Sequence, residues 1–425
     1  MKIGFIGLTH LGLVYLAAAA SKNINVVGFH DNKKELENLK NGKLIIKEPQ
    51  LNKYLKNYKN NIDFTNNISD IKNCNIVYIS VDIPTNQTGK SNYLRINKLI
   101  NKTINTMNKK AILIILSQVV PGYTRKIKWP LNNLFYQVET LIFGKAIQRA
   151  INPERIIIGG NFSESNKKVL PKIYETFLKN FKCKIIKMKY ESAELAKISI
   201  NLFLISNVSI ANNLSEICTK IGADWSEIIP ALRLDKRIGK YAYINPGLGL
   251  SGGNLERDLR TIYSLSSKYK TDLNTVSAFI KTSNYYKSWV LRILNKYVYK
   301  KHPKANICIL GLTYKKNTNS LKNSPSIYLI NKLKFNNLNI FDPVITNLSL
   351  HKNKIFLKVN VYEAIKNSEV LIIMTPWKEF KILNINKIKK LMKGNIIIDP
   401  MNILGEKVSK IANFNYFTLG KKYQL

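Results

Sequence analysis

Acidic residues are scarce in this 425-residue chain. Asp and Glu together number 26 against 67 Lys and Arg, for a formal net charge of +41. Such a balance invites a nucleic-acid reading, because a strongly basic surface attracts polyanions whatever their sequence. The lysines, however, are spread along the whole chain and not gathered into a tail or stripe. That spread argues for compositional bias and phosphorylated ligands, with no nucleic-acid partner. Cysteine is scarcer still. Cys74, Cys183, Cys218 and Cys308 show no CxxC spacing, which indicates neither a zinc site nor a disulfide framework and leaves them as structural thiols. Long apolar runs are missing as well. AILIIL (111–116) and NIIID (395–399) have the length of buried strands, well short of the roughly 18 residues of a membrane span. The start, MKIGFIGL, reads as a strand entering a glycine turn and lacks the features of a secretory leader. A cytoplasmic protein without a membrane association is therefore expected.

Arginine is rare too, with nine against fifty-eight lysines. Four of the nine, Arg233, Arg237, Arg257 and Arg260, fall within 28 residues. Where lysine is the default cation, such arginines point to a need for the planar fork that grips phosphate or carboxylate. Chance clustering is the competing explanation.

Short strands alternate with amphipathic stretches in the first third: KIGFIG, NVVGFHD, IVYISV, AILIILS and RIIIGG. That alternation predicts a parallel α/β sheet. From about residue 191 to 294 apolar residues recur at helical spacing, first over some eight turns of one long helix. The basic segment YVYKKHPKA (297–305) reads as a linker, after which NICILGL, LNIFD, VLIIMT and NIIID resume the strand–helix pattern. The expected fold is α/β, with two Rossmann-like doubly wound domains joined by a central helical domain with a long helix. The boundaries are placed at 1–188, 189–298 and 299–425.

Four stretches carry chemistry. In GFIGLTHLGLVYLAAAA, Gly7 and Gly12 hold the outer positions of a dinucleotide turn and Thr9 replaces the middle glycine. Asp31 ends the next strand 19 residues after Gly12; a carboxylate there accepts hydrogen bonds from an adenosine ribose and repels a 2′-phosphate, favouring NAD over NADP. His10 reads as a tolerated loop residue. In ELAKISIN, Lys197 and Asn201 lie four apart on one predicted helix face. They either handle the proton of an alcohol or are a solvated lysine and a surface asparagine. Glu139, in an apolar context, either positions water or is a solvated loop acid. Finally, GLGLSGGNLERDL (247–259) has four glycines in its first seven residues. Glycine this dense lets the backbone take φ > 0 or lets a ligand approach closely, yet the polar residue at its exit, Asn254, is not a nucleophile.

In order and spacing these stretches resemble the UDP-glucose/GDP-mannose dehydrogenase family. The resemblance also takes in KEPQL (47–51), SVDIPT (80–85), SQVVPGYT (117–124), LDKRIG (234–239), GLTYKKNTNSLKNSPS (311–326), FDP (341–343), TPWKEF (375–380) and DPMNIL (399–404). It implies an NAD domain, a helical dimerisation core and a C-terminal nucleotide-sugar domain, hence a homodimer or higher homo-oligomer. Its cofactor residues are Gly7, Thr9, Leu11, Gly12, Asp31, Pro84, Thr85 and Ser117. Its substrate residues are Leu141, Arg237, Tyr241, Gly249, Lys315 and Lys322, and its catalytic group is Lys197, Asn201, Glu139 and Asp258, with Asn254 at the nucleophile position.

Members of that family oxidise a C6 alcohol twice, the second time through a thiohemiacetal on a cysteine of the glycine loop. Here Asn254 takes the place of that cysteine and Arg257 that of a lysine before Asp258. Gln118 replaces a threonine, Val138 and Ile142 flank Glu139 in place of proline and arginine, and Met401 replaces an arginine before Asn402. Asn319 and Ser320 replace an acidic pair, and Lys322 an arginine. The expected function is NAD-dependent oxidation of a nucleotide sugar in polysaccharide precursor synthesis, with the thiohemiacetal step in doubt. Two other readings stay open: a catalytically silent binding paralogue, and a dehydrogenase of another hydroxy substrate, against which the third domain argues.

Overall fold

The computed structural model of the chain describes residues 1–44, 46, 48–86, 91–162, 169–333, 337–348, 355–405, 407–408 and 413–424; Lys47 of the KEPQL stretch lies outside them. The chain forms two compact units, Met1–Ile200 and Asn201–Leu425.

The first unit is built on strands β1 (Lys2–Ile6), β2 (Asn25–Phe29), β3 (Ile62–Thr65), β4 (Ile76–Ile79), β5 (Ile112–Ile115), β6 (Leu134–Gln137), β7 (Arg155–Gly160) and β8 (Lys184–Lys189). They form one sheet of order β3-β2-β1-β4-β5-β6-β7-β8, parallel throughout except for the antiparallel pair β6–β7. The apolar runs of β4 and β5 are buried on both faces, as a sheet covered by helices on both sides requires. Successive side chains alternate between two cores, with Ile76 and Tyr78 on one side and Val77 and Ile79 on the other. Helix α1 (His10–Ala20) buries all but one of its residues, because its alanines let it lie close against the sheet. The order reverses between β1 and β4, and in open α/β sheets ligands bind outside the strands' carboxyl ends at that point.

Helix α2 (Leu94–Thr106) lies between β4 and β5. Helix α3 (Tyr190–Ile221) is 32 residues long, without glycine or proline, and contains the boundary between the units. Gly222 stops it at φ +83°, its N–H donating to the Cys218 carbonyl. Although the sequence has no long unbroken apolar run, this helix is the one described element long and apolar enough on average, at a mean hydropathy of 1.3, to cross a membrane. Buried Glu194, Lys197 and Asn201 interrupt it.

The second unit continues with α4 (Trp225–Leu234), capped by Asp224, then α5 (Asn254–Tyr269) and α6 (Asn274–Lys287). Its sheet has strands β9 (Ile307–Leu310), β10 (Leu338–Phe341), β11 (Ile355–Leu357), β12 (Val370–Ile373), β13 (Ile396–Ile398) and β14 (Asn415–Phe417). The order is β11-β10-β9-β12-β13-β14, all parallel. Segment 297–305, expected as a linker, is packed into this unit's core. Val298 and Ala305 are buried, and the Tyr297 ring lies 4.8 Å from that of Phe417.

Candidate active site

At the switch point of the first sheet the chain leaves β1 through Gly7 at φ +93°, where a Cβ would stand 2.7 Å from Val81 Cβ. A Cβ on Gly12 would lie 2.2 Å from the Gly7 carbonyl oxygen. Both positions therefore exclude a side chain, and the turn can press α1 onto the β1 exit. Thr9 precedes α1; its hydroxyl accepts from the Asp82 N–H at 2.9 Å, and the Asp82 carboxylate accepts from the Leu11 N–H at 3.4 Å. Ser117 is fully buried and its hydroxyl donates to the Val81 carbonyl at 2.6 Å, so it fixes the end of β4 with its own proton. Pro84 is exposed, and Thr85 is half-buried in a bridge to Ser91.

Asp31 closes β2 and is gripped by Arg95 of α2, at 2.6 Å and 3.3 Å to its two oxygens. Burial would raise the Asp31 carboxyl, but the Arg95 guanidinium outweighs it and holds the group below its ordinary value. Arg95 carries no signal in the sequence reading, because it reaches Asp31 across 64 residues. A glycine turn that a Cβ would fill, amides at a helix start and a half-exposed acid at the neighbouring strand end fit a dinucleotide.

Further along the same unit, Lys197 Nζ lies 2.6 Å from Glu139 Oε1, with both side chains about nine-tenths buried. The other Glu139 oxygen accepts from the Leu141 N–H at 2.9 Å, so Leu141 bears on the site through its backbone. Of the two readings left open for each, the solvated one does not fit: 58 residues apart in sequence, they form one buried ion pair. One turn before Lys197, Glu194 accepts from the Gly122 and Thr124 N–H groups at 2.5 and 2.8 Å and fastens the 117–124 stretch to α3. Burial pushes its carboxyl up.

His10 is also more than a tolerated loop residue. Buried at the start of α1, its Nε2 lies 3.0 Å from Glu48 Oε2, and its ring stacks on Phe143 at 4.2 Å. Glu48 also accepts from the Gly144 and Ala146 N–H groups at 3.0 and 2.9 Å. Burial would raise this carboxyl, but His10 and the two amides outweigh it. The pair ties the start of α1 to the loop that follows Glu139. Glu48 before Pro49 was visible in the KEPQL stretch, but nothing local named its partner.

In the second unit the glycine loop is held from several sides. A Cβ on Gly249 (φ +73°) would sit 2.3 Å from the Ser283 carbonyl oxygen. The Leu250 N–H donates to Ser283 Oγ at 2.9 Å, and Asn323 Nδ2 donates to the Leu250 and Gly252 carbonyls at 3.2 and 3.3 Å. At the loop's exit Asn254 begins α5, exposed. One turn on, Asp258 is 1% exposed. It accepts from Asn201 Nδ2 at 2.5 Å and from Arg257 Nε at 3.2 Å.

Lys322 lies along Gly253, whose Cβ would stand 3.1 to 3.3 Å from its Cδ, Cε and Nζ. Burial, then the Arg257 charge, push the Lys322 amine below its ordinary value. Lys315 is half-buried, its Nζ 5.7 Å from the Tyr314 ring centroid. Arg237 and Tyr241 are strongly exposed on the segment after α4, with Arg237 paired to Asp235 at 2.6 Å. The structure thus gathers Asn201, Asn254, Asp258 and Lys322 around the glycine loop and the first turn of α5 and leaves Arg237 and Tyr241 exposed.

All four cysteines are free. Burial raises the Cys74 thiol to about 11 and Cys308 well above its ordinary value. Cys218, on α3 with Asn201, stands 17 residues away, about 26 Å of helical rise.

Three family models match in series. The NAD binding domain of the UDP-glucose/GDP-mannose dehydrogenase family matches residues 1–178, the central domain 191–285 and the UDP binding domain 308–406. The UDP-glucose 6-dehydrogenase of Rickettsia typhi is 30% identical over 438 residues, covering 99% of this chain and 100% of its own length. UDP-glucose 6-dehydrogenase TuaD of Bacillus subtilis is 29% identical over 99% of this chain and 93% of its own. Among solved structures, a UDP-D-ManNAc dehydrogenase from Pyrococcus horikoshii superposes with a TM-score of 0.84 at 23% identity, covering 99% of both chains. A UDP-glucose dehydrogenase from Pyrobaculum islandicum gives 0.83 at 20%, over 98% of this chain and 96% of its own. At those identities the two structures establish the shared fold.

Proposed function

The chain belongs to the UDP-glucose/GDP-mannose dehydrogenase family, and on that premise we propose that it oxidises the primary alcohol of a UDP-glucose-like nucleotide sugar. It is an NAD-dependent oxidoreductase acting on a CH–OH group. NAD, when bound, supplies the hydride acceptor. The buried Lys197–Glu139 pair carries the reading. The Lys197 ammonium, held dry beside a carboxylate, can donate to the alcohol oxygen while Glu139 takes the alcohol proton or holds a water that does so. One helical turn on, the Asn201 amide is oriented by Asp258.

The extents of the three family models support three domains at 1–188, 189–298 and 299–425. Phe203, Ile210, Leu214, Ile217 and Ile221 form an exposed apolar stripe at heptad-like spacing on α3, which supports a homodimer. We place the reaction in the cytoplasm, where it supplies a polysaccharide precursor. Asn254 at the nucleophile position favours one other reading, a silent paralogue that binds without turnover.

The test is NADH formation by purified protein across UDP-, GDP- and dTDP-sugars. Turnover is expected with one of them, reduced about 10²- to 10⁴-fold in Lys197→Ala. Activity untouched by that substitution overturns the assignment of Lys197, and binding without turnover across the panel favours the silent paralogue.

A further inference from the structure

Of the four arginines that the sequence crowds into 28 residues, three have protein partners. Arg233 reaches Asn245 at 3.5 Å, Arg237 pairs with Asp235, and Arg257 pairs with Asp258. Arg260 instead lines a cleft that opens between α5 and α6. The cleft measures about 320 Å³ including its open mouth, at the small end of ligand sites, which run from about 300 to 1,000 Å³. Its apolar lining is Leu250, Leu259 and Ile280, and its charged groups are Arg260, Lys287 and Glu256. Among the described residues, none of these three charges is ion-paired.

Lys287 ends α6 and is half-buried. Its ammonium donates to Asn323 Oδ1 at 2.6 Å, which engages one of its three N–H bonds. Burial pushes the amine below its ordinary value; the Glu256 charge opposes this and the Arg260 charge adds to it. Two cations thus share one acid in a partly dry cleft, where salt screens them weakly. The exposed Arg260 side chain can turn its fork onto two oxygens of one anion while the Lys287 ammonium takes a third. A carboxylate lacks that third oxygen. Asn323 links the cleft to the glycine loop, because its amide also donates to the Leu250 and Gly252 carbonyls.

We propose that this cleft binds a tetrahedral oxyanion of the phosphate class between Arg260 and Lys287, and that its occupation fastens the glycine loop through Asn323. The anion offsets the repulsion between the two cations and holds Lys287 where it meets Asn323. Every residue involved lies between 250 and 323, within the second unit, and none of them is assigned to the oxidation, so the site stands apart from the dehydrogenase reading.

The test is calorimetric titration of the full-length protein with inorganic phosphate, with NAD and UDP present to fill the cofactor and nucleotide sites. The buffer contains about 0.15 M sodium chloride, which screens diffuse attraction beyond about 8 Å. One further site per chain is expected. Lys287→Met and Arg260→Leu each weaken it about tenfold or more, and a thermal melt checks that both fold. Lys268→Met, which removes the same charge from an exposed position on α5, leaves the affinity unchanged. Phosphate also slows amide hydrogen exchange over 248–254 in the wild type and not in Arg260→Leu. Glucose 1-phosphate binding in its place identifies a phosphomonoester as the source, whereas binding of inorganic phosphate alone identifies the free ion. No saturable site for either, an affinity unchanged in both cleft variants, or an equal loss in Lys268→Met overturns the inference. Acetate bound as tightly overturns the tetrahedral class, and binding without slower exchange overturns the action on the loop.

Discussion

In the first sheet the chain turns through Gly7 at φ +93° after β1, and the acid closing β2, Asp31, keeps a third of its side chain exposed beside Arg95. In the second sheet the chain turns through Gly311 at φ +92° after β9, and the acid closing β10, Asp342, is 4% exposed. Asp342 accepts from the Leu312, Thr313, Val344 and Ile345 N–H groups at 2.7, 3.3, 2.9 and 3.1 Å, and from the Trp377 indole at 3.3 Å. The turn and the order of the six strands from β3 to β6 and from β11 to β14 are the same in both, but the Gly7 and Gly311 N–H groups donate to the Phe29 and Phe341 carbonyls. Asp342 therefore stands where His30 does and Asp31 one residue further on, and the two acids do different work. The first sheet leaves its carboxylate partly exposed beside Arg95, while the second uses its carboxylate to hold two of its own turns. A Rossmann topology therefore locates a possible site without saying that the site's acid is free to bind.

The sharpest way to break this comparison is to remove each acid in turn. Asp342→Ala strands several buried donors and is expected to cost about 3–5 kcal/mol of stability in urea unfolding. If it melts like the wild type, the structural role of Asp342 is wrong. Asp31→Ala, by contrast, breaks a half-exposed pair and should cost at most about 1 kcal/mol. Its effect belongs in binding: a KM for NAD raised about tenfold, equivalent to about 1.4 kcal/mol, and a narrower preference over NADP. An unchanged KM would mean that Arg95 keeps Asp31 from the ribose.

A smaller effect sharpens the cofactor side. The Asp82 carboxylate reaches the Leu11 N–H at the start of α1, where an incoming pyrophosphate would meet like charge. Asp82→Asn should tighten NAD by about 0.3–1 kcal/mol, roughly two- to fivefold, read by calorimetric titration; weaker binding would show that the carboxylate orders the turn instead. The smallest effect is acid-side. Asp31 has a folded-state value below its ordinary one, against the opposing effect of burial, because of Arg95. Its contribution is therefore present above the unfolded carboxyl's range, near about 3.9, and is lost as pH falls through the lower folded value. Arg95→Leu should remove that dependence, at most about 1 kcal/mol, and move the Asp31 titration upward in NMR.

Much of this architecture is legible in the chain. The strands beginning both sheets, the 190–221 helix and the glycine turns follow from apolar runs, helical spacing and residues that tolerate φ > 0, all properties of a few neighbouring positions. Strands such as β8, with the sequence KIIKMK and a half-buried pattern, escape that reading because their alternation is weak and their lysines mimic a surface segment.

The sequence by itself determined the fold class, the family and the residue types brought to each motif, including the asparagine where a thiol was expected. Only the tertiary structure decided which residues meet. Lys197 with Glu139, His10 with Glu48, Asp31 with Arg95, Asp258 with Asn201 and Lys322 with Gly253 are all contacts between residues tens of positions apart. The physical reason is that spacing encodes what a segment buries, whereas a charge or hydrogen-bond partner is fixed only when packed layers close and each buried polar group must find one.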